Sequence, residues 1–175
     1  MRLLPLRMLL AIALALGLAM GLGSCGDPDP EQAAEDLASM KSAVNAELRD
    51  MAAALGDGGL TVERATGHVE SEGMSTYRAE DYKATAVVVG EGAEGDQVDL
   101  AATALEEAGW ERTAEGLDAS EPWVQLERDD FRTTIGWTKV GERELLLTLD
   151  QEGEVEVPKD TEPVDRDNSE DIPLS

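Results

Sequence analysis

The sequence predicts an α+β domain in two layers. It has an antiparallel sheet of about five or six strands with two helices on one face, in the order α-β-β-α-β-β-β-β. Three observations predict this. Apolar residues recur at steps of three and four through residues 31–55, the period of one helix face. Phe131, Thr133, Ile135 and Trp137 alternate with Arg132, Thr134 and Gly136, and Leu145, Leu147 and Leu149 likewise share one face, the period of a half-buried strand. Short turns join the later strands, so consecutive strands pair antiparallel and leave the two amphipathic helices to cover one face.

The first helix opens at Asp29, which has the side chain of an N-cap. Pro30 stands at the first helical position, and Gln32 has capping-box spacing. Its stripe is Leu37, Met40, Val44, Leu48, Met51 and Leu55, and Gly56-Asp57-Gly58-Gly59 ends it. The stripe runs for only about three heptads, so it is read as packing on a sheet rather than as a coiled coil. Residues 60–71 form a strand with imperfect alternation: Leu60 and Val62 fall on one face, Ala65 and Val69 on the other. A bulge near Arg64 or Gly67 reconciles them. Residues 72–80 read as a polar connection. Residues 81–89 form a clearer strand with Tyr82, Ala84, Ala86 and Val88 on one face.

After a glycine-rich loop, Asp96 caps a second helix that runs to about Ala108, with Val98, Ala101, Ala102 and Leu105 on its apolar side. Gly109 stops it. Residues 110–114 form a short strand and 115–121 a loop. Residues 122–128, 131–140 and 144–150 form a meander, turning at Asp129-Asp130 and at Gly141-Glu142-Arg143. From Gln151 the chain becomes acidic and proline-spaced. Such a segment lacks the apolar surface to offset its ordering entropy, so 153–175 is expected to be a disordered tail.

The start of the chain has a different character. Arg2 and Arg7 precede an apolar run from Met8 to Leu22, followed by Gly23, Ser24 and the chain's single cysteine, Cys25. A positive segment, an apolar segment and small residues before a cut describe a secretory signal peptide. The run is short for a membrane span, which needs about 20 apolar residues. Leu22-Gly23-Ser24-Cys25 resembles the lipobox of bacterial prolipoproteins. The resemblance implies cleavage between Ser24 and Cys25 and a diacylglyceryl group on the Cys25 sulfur. It also implies attachment to the extracytoplasmic face of the cell membrane, with the lipid bilayer as the first partner. Two acyl chains suffice for stable anchoring where one does not. A lone cysteine in an exported chain has no partner within the chain, which the lipidation reading explains. The division expected is 1–24 signal peptide, 25–29 lipidated tether, 30–152 a single domain and 153–175 tail. Residue usage, with many Ala, Gly, Asp and Glu and more Arg than Lys, resembles that of small lipoproteins of high-G+C Gram-positive bacteria.

Charge narrows the function. The chain has 14 Lys+Arg and 38 Asp+Glu, and two of the arginines lie in the signal segment. The mature chain therefore sets 12 basic against 38 acidic residues, a balance of −26. This argues against nucleic-acid binding, which requires a basic patch. It also argues against electrostatic attachment to anionic headgroups.

Motifs for chemistry are few. His68 is the one histidine, too few for a two-histidine metal site, and it reads as a polar strand residue. Once Cys25 is acylated no thiol remains for thiolate catalysis. No nucleophile elbow, phosphate-cradling loop, EF-hand spacing or cofactor motif is present. Asp129-Asp130 and Glu106-Glu107 are carboxylate pairs of the kind a glycosidase uses, but in so acidic a chain such pairs arise by composition.

Aromatics make up only 3% of residues: Trp110, Trp123, Trp137, Tyr77, Tyr82 and Phe131. They are read first as core. The sharper reading makes Trp123, Trp137 and Trp110 a contact patch for an envelope protein or a small ligand. Trp123 leads it, because it has the opposite strand parity from Val124 and Leu126. Two function classes follow. A membrane-anchored interaction module would show an exposed apolar patch around Trp123. A carboxylate-based envelope hydrolase would show two acids facing across a cleft, one of them desolvated. The first is favoured over an enzyme.

Overall fold

The computed structural model describes residues 28–73, 77–117, 120–138, 143–158 and 169–174. The signal segment and the Leu22-Gly23-Ser24-Cys25 motif lie outside the described residues. Helix α1 (Pro30–Asp57) begins as its sequence directs. The Asp29 carboxylate accepts the Glu31 N–H at 2.9 Å, and Pro30 stands where no N–H is needed. Gln32 does not complete the box: its amide donates forward to Asp36 at 2.8 Å. Val44, Leu48, Met51 and Leu55 are buried, and Leu37 and Met40 pack half-buried beside them. At the far end Gly59 (φ 83°) turns the chain so that the Leu60 N–H reaches the Leu55 carbonyl at 2.9 Å.

Strands β1 (Thr61–Gly73) and β2 (Tyr77–Val89) form an antiparallel hairpin. A bulge between Val62 and Arg64 shifts the register, bringing Val62 onto the core side with Ala65, as the broken alternation required. Most of the stretch expected to be a polar connection is strand. Polarity misled because the polar groups have partners: Glu80 is 2% exposed, and its carboxylate accepts from Arg78 at 3.0 Å and from the Ser71 hydroxyl at 3.2 Å.

Helix α2 (Glu94–Glu107) starts earlier than expected. Ala93 is the N-cap and makes no side-chain cap bond, while Asp96 sits in the first turn, where a carboxylate favours the positive helix end. Gln97 folds back to the Gly92 carbonyl at 2.8 Å instead. Val98, Ala101, Ala102 and Leu105 are buried. The meander follows as β3 (Glu111–Glu115), β4 (Trp123–Arg128), β5 (Phe131–Trp137) and β6 (Leu145–Gln151).

Two further strands come from the segment expected to be disordered: β7 (Val155–Pro158) and β8 (Glu170–Asp171). Gly153 (φ 109°) turns the chain out of β6. Val155 and Val157 then bury against Ala33, Leu37 and Met40. The Ile172 N–H bonds the Ala65 carbonyl at 2.9 Å while its side chain enters the main core. A few apolar residues spaced along an acidic tail are enough once a sheet edge and a helix await them.

The eight strands form one antiparallel sheet in the order β3-β4-β5-β6-β2-β1-β8, with β7 beside β2 beyond the end of β6. After the β1–β2 hairpin, α2 carries the chain to the far edge and the meander returns it to β2. Both helices cover one face: α1 lies over β1, β2, β6 and β7, and α2 over β3, β4 and β5. The α+β class and the single helix-bearing face match the sequence reading, with more strands than expected.

The C-terminal segment is held at one polar joint. The buried Tyr82 hydroxyl lies 3.1 Å from Asn45 Oδ1 on α1 and 2.9 Å from Glu170 Oε1 on β8. Lys41 reaches the other Glu170 oxygen at 2.5 Å, and Arg49 donates to the Pro173 carbonyl at 3.1 Å. The Lys41 bond, helped by Tyr82, holds the Glu170 carboxyl below the usual glutamate value of 4.5.

Ile172→Ala should therefore destabilise the fold by about 2–4 kcal/mol, as for other buried aliphatic truncations. Urea denaturation checks it; a loss below about 0.5 kcal/mol, the surface-substitution range, would mean the segment is not docked. Because folding lowers the Glu170 pKa, its contribution is present above about pH 4.5 and lost as pH falls through the lowered value. Glu170→Gln should thus be less stable than the natural chain near neutral pH. The gap should close in acid, as read by the same denaturation at both pH values.

Candidate functional site

Among the described residues, no helix lies on the second face of the sheet. Strand alternation sends Val124 and Leu126 of β4, Thr133 and Ile135 of β5, and Leu145, Leu147 and Leu149 of β6 inward, where all are buried. Their neighbours must point outward, and the register sorts these into three rows across the sheet. Val87, Leu146, Gly136 and Trp123 form an apolar row. Thr66, Thr85, Thr148, Thr134 and Gln125 form a hydroxyl and amide row beside it. His68, Lys83, Asp150, Arg132 and Glu127 form an ionic row beyond that.

Most of the ionic row is paired, within itself or with the residues next to it. Arg132 meets Asp150 at 3.0 Å, and Lys83 meets Glu70 at 2.5 Å and Asp81 at 3.6 Å. His68 Nε2 lies 3.2 Å from Glu70, in keeping with a polar strand residue. The Lys83 bond holds the Glu70 carboxyl below its ordinary value, while burial pushes Asp81 up.

The apolar row ends in a depression of about 320 Å³. Trp123, Leu146 and buried Pro122 give it apolar walls, Thr134 and Thr148 line its side toward the hydroxyl row, and Glu121 and Trp137 border it. Two glycines shape it. A Cβ at Gly116 would run into the indole Nε1 of Trp123, so the bare backbone there lets the ring lie against the strand edge. A Cβ at Gly136 would stand 3.2 Å from the Trp123 Cβ, between Trp123 and Leu146. Its absence opens the floor. Trp123 is 38% exposed, as its strand parity predicts.

The other two tryptophans have different roles. Trp137 is half-buried on the core side and donates its Nε1 to the Glu94 carbonyl at 3.2 Å, tying β5 to α2 at the rim of the depression. Trp110 is not part of any contact patch. It is 4% exposed within the core, under the Arg128 guanidinium at 5.1 Å. Arg128 also donates to the Ala108 carbonyl at 3.0 Å and pairs with Glu47. Gly109 turns the chain directly into Trp110, and the inward parity of that position is visible only once β3 is placed.

Among the described residues, the two carboxylates that burial raises do not face each other. Burial pushes up the Glu47 carboxyl despite its partner Arg128, and burial likewise raises Asp81. Glu47 lies on the helix layer and Asp81 on the open face, with the sheet between them. Glu106 is bonded by Arg112 at 2.9 and 3.1 Å, and Asp130 takes the Gln151 amide at 2.5 Å. Among the described residues no three His, Cys, Asp or Glu side chains converge as a metal site. Cys25 and the Ser24–Cys25 cleavage position lie outside the described residues.

Sequence reasoning found Trp123 and missed Gly116, Gly136, Leu146, Thr134 and Thr148. The outward parity of the last four was readable, but their alignment into one site depends on register. Compared with protein-family models, curated proteins and solved structures, the chain matches none.

The three tryptophans should separate in quenching by acrylamide, a neutral probe that the acidic surface does not repel. Trp123→Phe should remove most of the accessible emission, whereas Trp110→Phe should leave it and remove the most blue-shifted component. Equal quenching of the two variants would contradict the open setting of Trp123.

Proposed function

We propose that this chain is an exported bacterial lipoprotein, held on the extracytoplasmic face of the cell membrane by a diacylglyceryl group on Cys25. Its α+β domain then serves as a binding module of the cell envelope. The anchor rests on Leu22-Gly23-Ser24-Cys25 standing at the end of a short apolar segment behind Arg2 and Arg7. The observation that carries the binding reading is Trp123, a large aromatic left exposed beside a concave apolar depression in a chain with three tryptophans. Amphipathic aromatics of this kind are enriched where proteins contact partners. No described helix is long and apolar enough to cross a membrane.

The two parts fit together in space. Four residues separate Cys25 from Pro30, where α1 begins. At 1.5 Å per residue the 28-residue α1 is about 42 Å long. Its first turns pack near β7 and the start of β2, and Leu55 near its end packs with Leu60. Trp123, Leu146 and Val87 lie toward that second end. An anchor at Cys25 would therefore join the domain at the start of α1, the end opposite the depression.

The natural chain should take up labelled palmitate and run at its processed mass, and Cys25→Ser should lose the label and stay at its precursor mass. Label and mass unchanged by the substitution would remove the lipoprotein reading. Crosslinking on intact cells should capture a specific neighbour with the natural chain and lose it with Trp123→Ala.

A further inference from the structure

We infer that the depression beside Trp123 is a subsite for a neutral pyranose ring of an envelope glycan. The inference rests on the binding-module reading and names the ligand class of that same site.

A pyranose has two chemical characters. One face of the ring is a patch of C–H groups, and its rim carries hydroxyls that both donate and accept. The depression has the same two characters on adjacent rows of the sheet. The indole of Trp123, with Leu146 beside it, offers an apolar surface whose aromatic face is electron-rich and attracts polarised C–H groups. Thr134 and Thr148, one row over, offer hydroxyls. The Thr148 hydroxyl donates to the Thr134 carbonyl at 3.3 Å, so its lone pairs remain to accept from a ligand.

Size and charge narrow the occupant. A depression of about 320 Å³ is at the small end of the roughly 300–1,000 Å³ range of small-molecule sites, the scale of one or two sugar rings. A stable protein interface needs about 800 Å² from each partner, and this apolar row is one side chain wide. A second copy of a chain at −26 would also be repelled. An added peptide strand needs a sheet edge for its backbone, and this site lies on a face. The same −26 disfavours anionic glycans, which leaves a neutral one. Gly136 supplies the space, since any side chain there would fill the floor between Trp123 and Leu146.

The full mature chain, purified in detergent, is titrated with chitotetraose, cellotetraose, mannotetraose and tetragalacturonate by calorimetry and tryptophan emission. At least one neutral tetrasaccharide should bind saturably and blue-shift the emission, and tetragalacturonate should not bind. Trp123→Ala should weaken the binding at least about tenfold. Thr148→Val, which keeps the β-branched shape and removes the hydroxyl, should weaken it about threefold with circular dichroism unchanged. Saturable binding that survives Trp123→Ala would overturn the assignment, as would preference for tetragalacturonate. If no neutral sugar binds while the cellular crosslink still requires Trp123, the glycan inference fails and the binding-module reading stands. If the crosslink is also indifferent to Trp123, both fail.

Discussion

The structure depends on how closely α1 can approach β2. Strand β2 is the spine of the sheet: β1 pairs along one side of it, and β6 then β7 along the other. Its core face presents Ala84 and Ala86, both fully buried, and such small side chains let a helix sit low on a sheet. That seat lets Val44, Leu48, Met51 and Leu55 reach the leucines of β6 within one core. A chain with few aromatics fills its interior with many modest side chains, and dispersion between them is collectively large only where the gaps are closed.

One large residue is admitted into this seat, and its accommodation ties the fold together. Tyr82 lies across β1 where Gly67 has no side chain; a Cβ there would collide with the phenol. The hydroxyl finds Asn45 on α1 and Glu170 on β8, so a single buried group joins helix, central strand and C-terminal segment. Burial and the neighbouring Glu170 carboxylate push the phenol's pKa far up, which keeps it a neutral hydrogen-bonding group. Lys41 balances the Glu170 charge and lies over the Tyr82 ring, 5.9 Å from its centroid. The buried hydroxyl thus has an acceptor for its proton, which spares it the desolvation cost of an unpaired polar group.

With both helices on one side, the other face of the sheet is left to solvent, and its rows divide the work. In the ionic row Arg132 holds Asp150, and Lys83 and His68 turn to Glu70 beside it. The threonine row suits a strand by β-branching and keeps polar atoms at the surface. The apolar row, with Trp123 at its end and Gly136 within it, is the part that packing does not explain. A sheet built only for stability would fill the Gly136 position, because glycine weakens a strand interior.

Much of this was legible along the chain. The stripe of α1, the alternation of β5 and β6, the bulge after Val62 and the outward parity of Trp123 all follow from local periodicity, because each side chain's direction is set by its own backbone. What periodicity could not reach was partnership across the chain. Glu80 and the residues around it read as loop because nothing local reveals that Ser71 and Arg78 would bond it. The acidic terminus read as disordered because Ile172 and Val155 gain their burial only from surfaces made by residues far earlier in sequence. Trp110 stood behind Trp123 as a candidate for the contact patch until β3 was placed. The sequence alone determined the α+β class and the heavy negative charge, and it is the whole ground for proposing export and a lipid on Cys25, since these are matters of composition and spacing. Only the tertiary structure decided that Trp123, Gly136, Leu146 and the threonines meet in one depression, because register across strands is set by the packing of the whole core and not by any one segment.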